Sequence, residues 1–183
     1  MRDNLTIGIA GAGGDGVVLL GSILQKLAAS LGYFSQMPRY YGAQIRGGGS
    51  AVKLGLDAKH LALPGDSLDI IVCFDWQKYL EVNQELSLGA NTIILYENEP
   101  TGEINLPEKS FQVAFSRNSQ EITGTPHNKN IVALGVLLEI TGISEEQVIG
   151  AITGDHEVDL LKNNLAALEA GKKLFFELSI PSL

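Results

Sequence analysis

One cysteine, Cys73, stands in 183 residues, inside the apolar run Ile70-Ile71-Val72-Cys73-Phe74. That excludes a disulfide framework, a CxxC redox pair and an iron–sulfur cluster ligated by this chain alone, and it points to a reducing compartment. No apolar run reaches the roughly 18 residues a membrane span requires. The N-terminus leads almost directly into Leu5-Thr6-Ile7, without a charged-then-apolar signal. A cytoplasmic location with no membrane partner is expected. His60, His127 and His156 have no ligand-like spacing, and G-x-S-x-G, Cys–His and paired-carboxylate signatures are all missing. No catalytic residue and no metal ligand set is therefore predicted. Basic residues are scarce too: 13 Lys and Arg against 21 Asp and Glu leave a formal charge of −8, which argues against nucleic-acid binding.

One stretch reverses that balance. Between Gly16 and Leu56 there is no acidic residue, while Lys26, Arg39, Arg46 and Lys53 contribute a charge of +4. An anion or an acidic partner surface is the natural complement. The rest of the composition, 45% apolar and 19% charged, is that of a globular chain, and the length suits a single domain over residues 1–183.

Leu5 to Ala10 reads as a strand covered on both faces. Gly16 to Leu31 follows as an amphipathic helix with Leu20, Ile23, Leu24, Leu27 and Leu31 on its apolar side, ended by Gly32. Further strands are expected at Tyr33–Met37, Ser50–Leu56, Leu68–Phe74, Asn91–Tyr96 and Phe111–Phe115. A short helix is expected from about Asp75 to Leu86, and Arg39–Gly49 reads as a long glycine-rich loop. Helical patterns then take over: one around Ile131–Leu138, one opened by the capping box Ser144-Glu145-Glu146-Gln147, and one from Val158 to Ala170 that stops at Gly171. The alternation predicts an α/β fold, a three-layer α/β/α sandwich with a Rossmann-like, mostly parallel sheet and C-terminal helices. Ligands of such folds gather at the carboxyl ends of the strands, where both glycine clusters lie.

Gly11-Ala12-Gly13-Gly14-Asp15-Gly16 satisfies G-x-G-x-x-G between a strand and a helix, so its amides are candidates to receive a phosphate. The alternative is that the glycines only let strand and helix pack closely. Dinucleotide binding also wants an acid about 20 residues on, and none occurs before Asp57. Gly14-Asp15-Gly16 mimics the opening of the thiamine-diphosphate motif, but the asparagine that completes the magnesium site is missing between Gly16 and Val82. Asp15 is left to face solvent or a partner, or to cap the helix. The second cluster, Pro38 to Gly49, sets Arg39, Tyr40, Tyr41 and Arg46 among Gly42, Gly47, Gly48 and Gly49. Guanidinium forks suit phosphate and carboxylate, and the glycines leave them room to reach. Pairing with the chain's own acids is the other reading.

Gly11-x-Gly13-Gly14-x-Gly16-Val17-Val18, then Pro38-x-x-Tyr41-Gly42, Arg46-Gly47-Gly48 and later Asn130-Ile131-Val132-Ala133-Leu134-Gly135 resemble the gamma subunit of 2-oxoacid:ferredoxin oxidoreductases over nearly the whole chain. Asp15 replaces a glutamine usual in that family, and Tyr40 is an extra tyrosine. The resemblance implies a hetero-oligomeric enzyme that oxidatively decarboxylates a 2-oxoacid to an acyl-CoA and reduces ferredoxin. Thiamine diphosphate, magnesium and iron–sulfur clusters would lie on alpha and beta subunits, with a ferredoxin-like delta subunit in some complexes, and no cofactor on this chain alone. Coenzyme A, as substrate, would be reached through Gly11, Gly13, Gly14, Gly16, Arg39, Tyr41, Gly42, Arg46, Gly47 and Gly48, or those residues would dock the thiamine-binding subunit. Chain length favours the 2-oxoglutarate type, although no residue chooses among pyruvate, 2-oxoglutarate, branched-chain and aryl substrates. The competing readings are a free-standing nucleotide-binding regulatory module, a purely structural subunit, and a gamma-like subunit of an indolepyruvate:ferredoxin oxidoreductase.

Overall fold

A strand with apolar residues on both faces has to be covered on both sides, and this requirement places β1 (Asn4–Ala12), buried from Leu5 to Gly11, at the centre of a sheet. The computed structural model describes residues 2–42, 48–60, 66–98, 106–144, 148 and 158–183. They divide into two compact units, built on Asp3–Val113 and on Ala114–Leu183.

The first unit holds β1, α1 (Val17–Ser30), β2 (Phe34–Gln36), β3 (Arg39–Tyr41), β4 (Gly49–Asp57), β5 (Leu68–Cys73), α2 (Trp76–Leu80), β6 (Leu88–Tyr96) and β7 (Ser110–Gln112). The seven strands are ordered β2-β4-β1-β5-β6-β7, with β3 also on β4. β1, β5, β6 and β7 are parallel, as expected of the Rossmann-like part. β4 runs antiparallel to β1 through nine register pairs, from Asn4↔Asp57 to Ala12↔Gly49, and carries β2 and β3 antiparallel on its other side. The α/β expectation holds, with a mixed sheet. Helices cover both faces: a Cβ on Gly21 of α1 would lie 3.0 Å from Val52 of β4, and one on Gly49 would lie 2.6 Å from the Lys78 carbonyl of α2. Gly32 ends α1 as read from the sequence. Its φ is +81°, and the Tyr33 and Gly32 N–H groups return to the Ala28 and Ala29 carbonyls at 2.9 and 3.1 Å.

Several boundaries differ from the sequence reading. Arg39–Tyr41 is a strand, not loop, because Pro38 interrupts the edge without ending it: Lys53 N–H still donates to the Pro38 carbonyl, 3.1 Å. α2 stops at Leu80, and the chain continues to Leu86 in tight turns such as Val82 N–H to the Tyr79 carbonyl, 2.9 Å. β7 stops at Gln112, and fully buried Phe115 opens α3 (Phe115–Thr123). Glu145, Glu146 and Gln147 of the capping box lie outside the described residues.

In the second unit α3 is followed by a 3-10 turn at Pro126–Asn128, α4 (Lys129–Thr141) and α5 (Val158–Glu177). α4 is apolar almost all round and buried from Asn130 to Leu138, as its sequence pattern implies. α5 does not end at Gly171. That glycine is where α5 crosses α4: a Cβ there would run into the Val132 carbonyl oxygen, and one on Gly135 into the Leu168 carbonyl oxygen. The two glycines let the helix backbones meet, so Gly171 reads as a terminator in sequence but serves as a contact. Among the described residues no helix is long and apolar enough to cross a membrane.

Two outcomes are expected. Gly171→Ala, which in an ordinary helix interior stabilises by up to about 1 kcal/mol, should here destabilise by about 2–3 kcal/mol, read as a lower urea midpoint at unchanged slope. Asp57, buried at the end of β4, accepts Lys59 N–H at 2.7 Å and His60 N–H at 3.1 Å, and these two bonds hold its carboxyl below the ordinary value of 3.8. A depressed folded pKa contributes stability that is complete above the unfolded value and lost as pH falls through the folded one. Asp57→Asn should therefore lower stability at pH 7 and flatten the loss between pH 4 and pH 2.

Candidate functional site

The register of β4 on β1 brings the two glycine clusters together. Ala12 pairs with Gly49, so the turn that follows β1 lies beside the root of the β3–β4 hairpin, where Gly42 N–H donates to the Gly49 carbonyl at 2.8 Å. Gly11, Gly13, Gly14, Gly16, Arg39, Tyr41, Gly42 and Gly48 are thus gathered at one edge of the sheet. Arg46 and Gly47 lie in the hairpin's loop by chain order and outside the described residues.

The four glycines of the first turn serve different ends. Gly14 and Gly16 have φ of +101° and +76°, which only glycine adopts without strain. Gly11 is packed, since a Cβ there would lie 2.7 Å from Asp15 Oδ2 and 3.1 Å from Phe74 Cβ. Gly13 has neither constraint, with open space around it. Its bare backbone is what an outside molecule can approach. The turn is not an empty anion cradle, however. Asp15 Oδ2 accepts the Ala12 N–H at 2.8 Å, the Asp15 N–H returns to the Ala12 carbonyl at 3.1 Å, and the residue capping α1 is Gly16, without a side-chain bond. The carboxylate closes the turn internally.

On the hairpin, antiparallel alternation puts Arg39 and Tyr41 on the face of Val52 and Ser50, and Tyr40 on the opposite face with Ala51. Tyr41 is 67% exposed and Arg39 is exposed, and Arg39 has no ion pair among the described residues. Tyr40 is half-buried against the cluster of Trp76, Tyr79 and Leu86. Burial, and then the charge of Glu85, raise its phenol above 10.0. An open cleft of about 460 Å³ runs between Arg39–Tyr41 and the turns after α2, with Leu80, Glu81 and Glu85 among its walls.

Sequence reasoning missed Glu81. Its Oε2 accepts the Gly49 N–H at 2.7 Å and its Oε1 takes Lys78 Nζ at 2.8 Å. Lys78 first, and the Gly49 amide second, hold the Glu81 carboxyl below its ordinary 4.5. The interaction is therefore complete above that value and lost as pH falls through the lower one. The i, i+3 Lys–Glu pair is visible in sequence, but nothing in it signals a hairpin 32 residues upstream.

The remaining reactive groups are quiet. Cys73 is fully buried, and burial followed by the nearby Asp75 and Asp15 charges pushes its thiol well above the ordinary range, so no thiolate forms near neutral pH. Among the described residues no three His, Cys, Asp or Glu side chains gather as a metal site. Among the described residues, the site offers bare backbone at Gly13 and an exposed guanidinium at Arg39.

Residues 6–174 match the pyruvate ferredoxin/flavodoxin oxidoreductase family. A subunit called KorC of the 2-oxoglutarate synthase of Methanothermobacter thermautotrophicus is 33% identical, over 93% of this chain and 95% of its own length. A 2-oxoglutarate:ferredoxin oxidoreductase from Magnetococcus marinus, solved with 2-oxoglutarate, coenzyme A and succinyl-CoA bound, superposes with a TM-score of 0.82 at 25% identity. The match covers all of this chain but only 32% of that one. The gamma subunit of a keto/oxoacid ferredoxin oxidoreductase from Geobacter sulfurreducens has the same fold, with a TM-score of 0.76 at 20% identity over 94% of this chain and 99% of its own. The chain belongs to the pyruvate ferredoxin/flavodoxin oxidoreductase family, as the glycine, Tyr-Gly and Arg-Gly-Gly segments implied.

Proposed function

We propose that this chain is the gamma subunit of a 2-oxoglutarate:ferredoxin oxidoreductase. In that reaction the 2-oxoacid loses carbon dioxide, coenzyme A takes the remaining acyl group, and two electrons pass to ferredoxin. The end-to-end match with a KorC chain carries the reading, and the coenzyme A and succinyl-CoA held by the Magnetococcus neighbour support its substrate side. It works as one part of a cytoplasmic hetero-oligomer with alpha and beta subunits, and a ferredoxin-like delta subunit where the complex has one.

The described residues do not fit thiamine diphosphate with magnesium, or an iron–sulfur cluster. Its single thiol is buried and protonated, and no acid-rich ligand set gathers among the described residues. Those groups belong to the companion chains. What this chain supplies is the rim built from the Gly13 turn and the hairpin of Arg39, Tyr41, Gly42, Arg46, Gly47 and Gly48. There, guanidinium groups receive coenzyme A phosphates, and bare backbone leaves room for the rest of the molecule. A second reading uses the same rim to dock an acidic face of the thiamine-binding subunit, favoured by exposed Tyr41 and Leu80 beside Arg39.

Arg46→Ala and Arg39→Ala in the assembled complex separate the two. Loss of a charged contact to phosphate should raise the KM for coenzyme A about tenfold or more, with the KM for the 2-oxoacid and the sedimentation of the complex unchanged. Dissociation of the chain from its companions would select docking, and no change in either measurement would remove both readings.

A further inference from the structure

The sheet ends in β2 and β3, which share one side of β4 and have no further strand on their outer side among the described residues. Both hold a single register on β4, from Phe34↔Asp57 to Tyr41↔Ser50. In an antiparallel ladder alternate residues exchange backbone bonds with the partner strand, and those between turn their N–H and C=O away from it. Lys53 N–H donates to the Pro38 carbonyl at 3.1 Å and Gly42 N–H to the Gly49 carbonyl at 2.8 Å, which sets the even-numbered residues towards β4. Ser35, Arg39 and Tyr41 are therefore turned outward, and their backbone groups have no partner among the described residues. Proline blunts an edge when the donor it removes would face solvent. Pro38 does not, because its nitrogen lies on the β4 side.

The two faces beside this edge differ. Arg39 and Tyr41 lie on the α1 face, both exposed, and Arg39 has no ion pair among the described residues. On the other face the cleft of about 460 Å³ sets exposed Leu80 near Tyr40, with Glu85 in its wall. An extended segment laid along the edge would alternate its side chains between these surroundings. An acid suits the first, where the guanidinium has only water to exchange. An apolar side chain suits the second, and Glu85 disfavours an acid there. The same edge of a second copy does not fit: no acid occurs between Gly16 and Leu56, so Arg39 would meet only cations and neutral residues.

We propose that the outer edge of β2 and β3 takes up an extended strand of a companion subunit, one that alternates an acid facing Arg39 with an apolar side chain facing the cleft at Leu80. The proposal rests on the docking reading of this rim and gives it a backbone geometry. It assigns coenzyme A no role, and the chain beyond Gly42 takes no part in it.

The test uses the assembled complex. Residue-resolved deuterium exchange should find the Arg39 and Tyr41 amides within about tenfold of the Tyr40 amide, which is already directed to β4, whereas an open edge would leave both faster by about a hundredfold or more. Tyr41→Pro removes the outward N–H without touching the bonds to β4, and Tyr41→Ala keeps it. The proline variant should leave its companions about tenfold faster than the alanine variant. Arg39→Glu should raise the dissociation rate about tenfold or more, and Arg39→Lys less than about threefold. A photo-cross-linker introduced as Tyr41→p-benzoylphenylalanine should join an acid-bearing stretch of a companion subunit.

Fast exchange at Arg39 and Tyr41 in the wild-type complex overturns the proposal, and that result depends on no variant folding. A cross-link to a second copy overturns it too. If Arg39→Glu weakens assembly while both amides exchange fast, docking at this rim stands and strand addition fails. If neither Arg39→Glu nor Tyr41→Pro alters assembly, the docking reading itself fails and the proposal with it.

Discussion

The pairing of β4 with β1 is the constraint from which the rest of the site follows. Side chains alternate along a strand with a period of two, so a slip of one residue would carry Val52 and Leu54 off the face that α1 covers and set Ala51 in their place. Nine residue pairs and burial on both faces oppose that slip. With the register held, Gly49 has to lie beside Ala12, and the neck of the hairpin stands next to the turn that follows β1. Gly42 and Gly49 then face α2, which is why Glu81 can reach the Gly49 amide.

At that edge two glycine clusters that look alike in sequence have opposite electrostatics. The first has the spacing of a phosphate cradle, yet its carboxylate already accepts the Ala12 N–H. Asp75, after β5, caps α2 by accepting the Lys78 N–H at 3.1 Å, a second acid at the carboxyl ends of the parallel strands. The hairpin offers the reverse: backbone without bulk, an arginine on its exposed face, and an acid at its neck already matched by Lys78. The carboxyl ends of the parallel strands thus carry two acids, and the exposed arginine stands on the antiparallel hairpin.

Much of the fold was legible in the sequence because it rests on local signals. Uninterrupted apolar runs marked β1, β5 and β6, three- and four-residue spacing marked α1, and Gly32 marked its end. What could not be read depended on partners distant in the chain. Nothing local gives the direction of β4, and Arg39-Tyr40-Tyr41, between a proline and a glycine, looks like loop until Val52, Ala51 and Ser50 pair with it. Gly171 has the profile of a helix cap, and only the Val132 carbonyl of another helix reveals a crossing point. The resemblance found the hairpin through its Tyr-Gly and Arg-Gly-Gly spacing. Glu81 carried no such mark, since its significance is a bond to an amide whose own residue has no side chain.

Some cations of the molecule already have acidic partners. Lys59 pairs with Asp3, Lys78 with Glu81, Arg117 with Glu121 and Lys172 with Glu169, each at 2.8 Å. Lys26, Arg39 and Lys53, from the segment without acids, have no ion pair among the described residues. Exposed ion pairs stabilise by only about 0–1 kcal/mol, so leaving three cations unpaired costs the fold little. For binding the difference is large: an arginine already paired would have to exchange one carboxylate for a phosphate, whereas a free guanidinium exchanges only water. Arg39 stands exposed beside the cleft, and a guanidinium without a carboxylate partner can attract an anion before contact is made. Among the described residues, the chain thus holds an exposed guanidinium and open backbone at one end of the sheet, with no metal-binding cluster beside them.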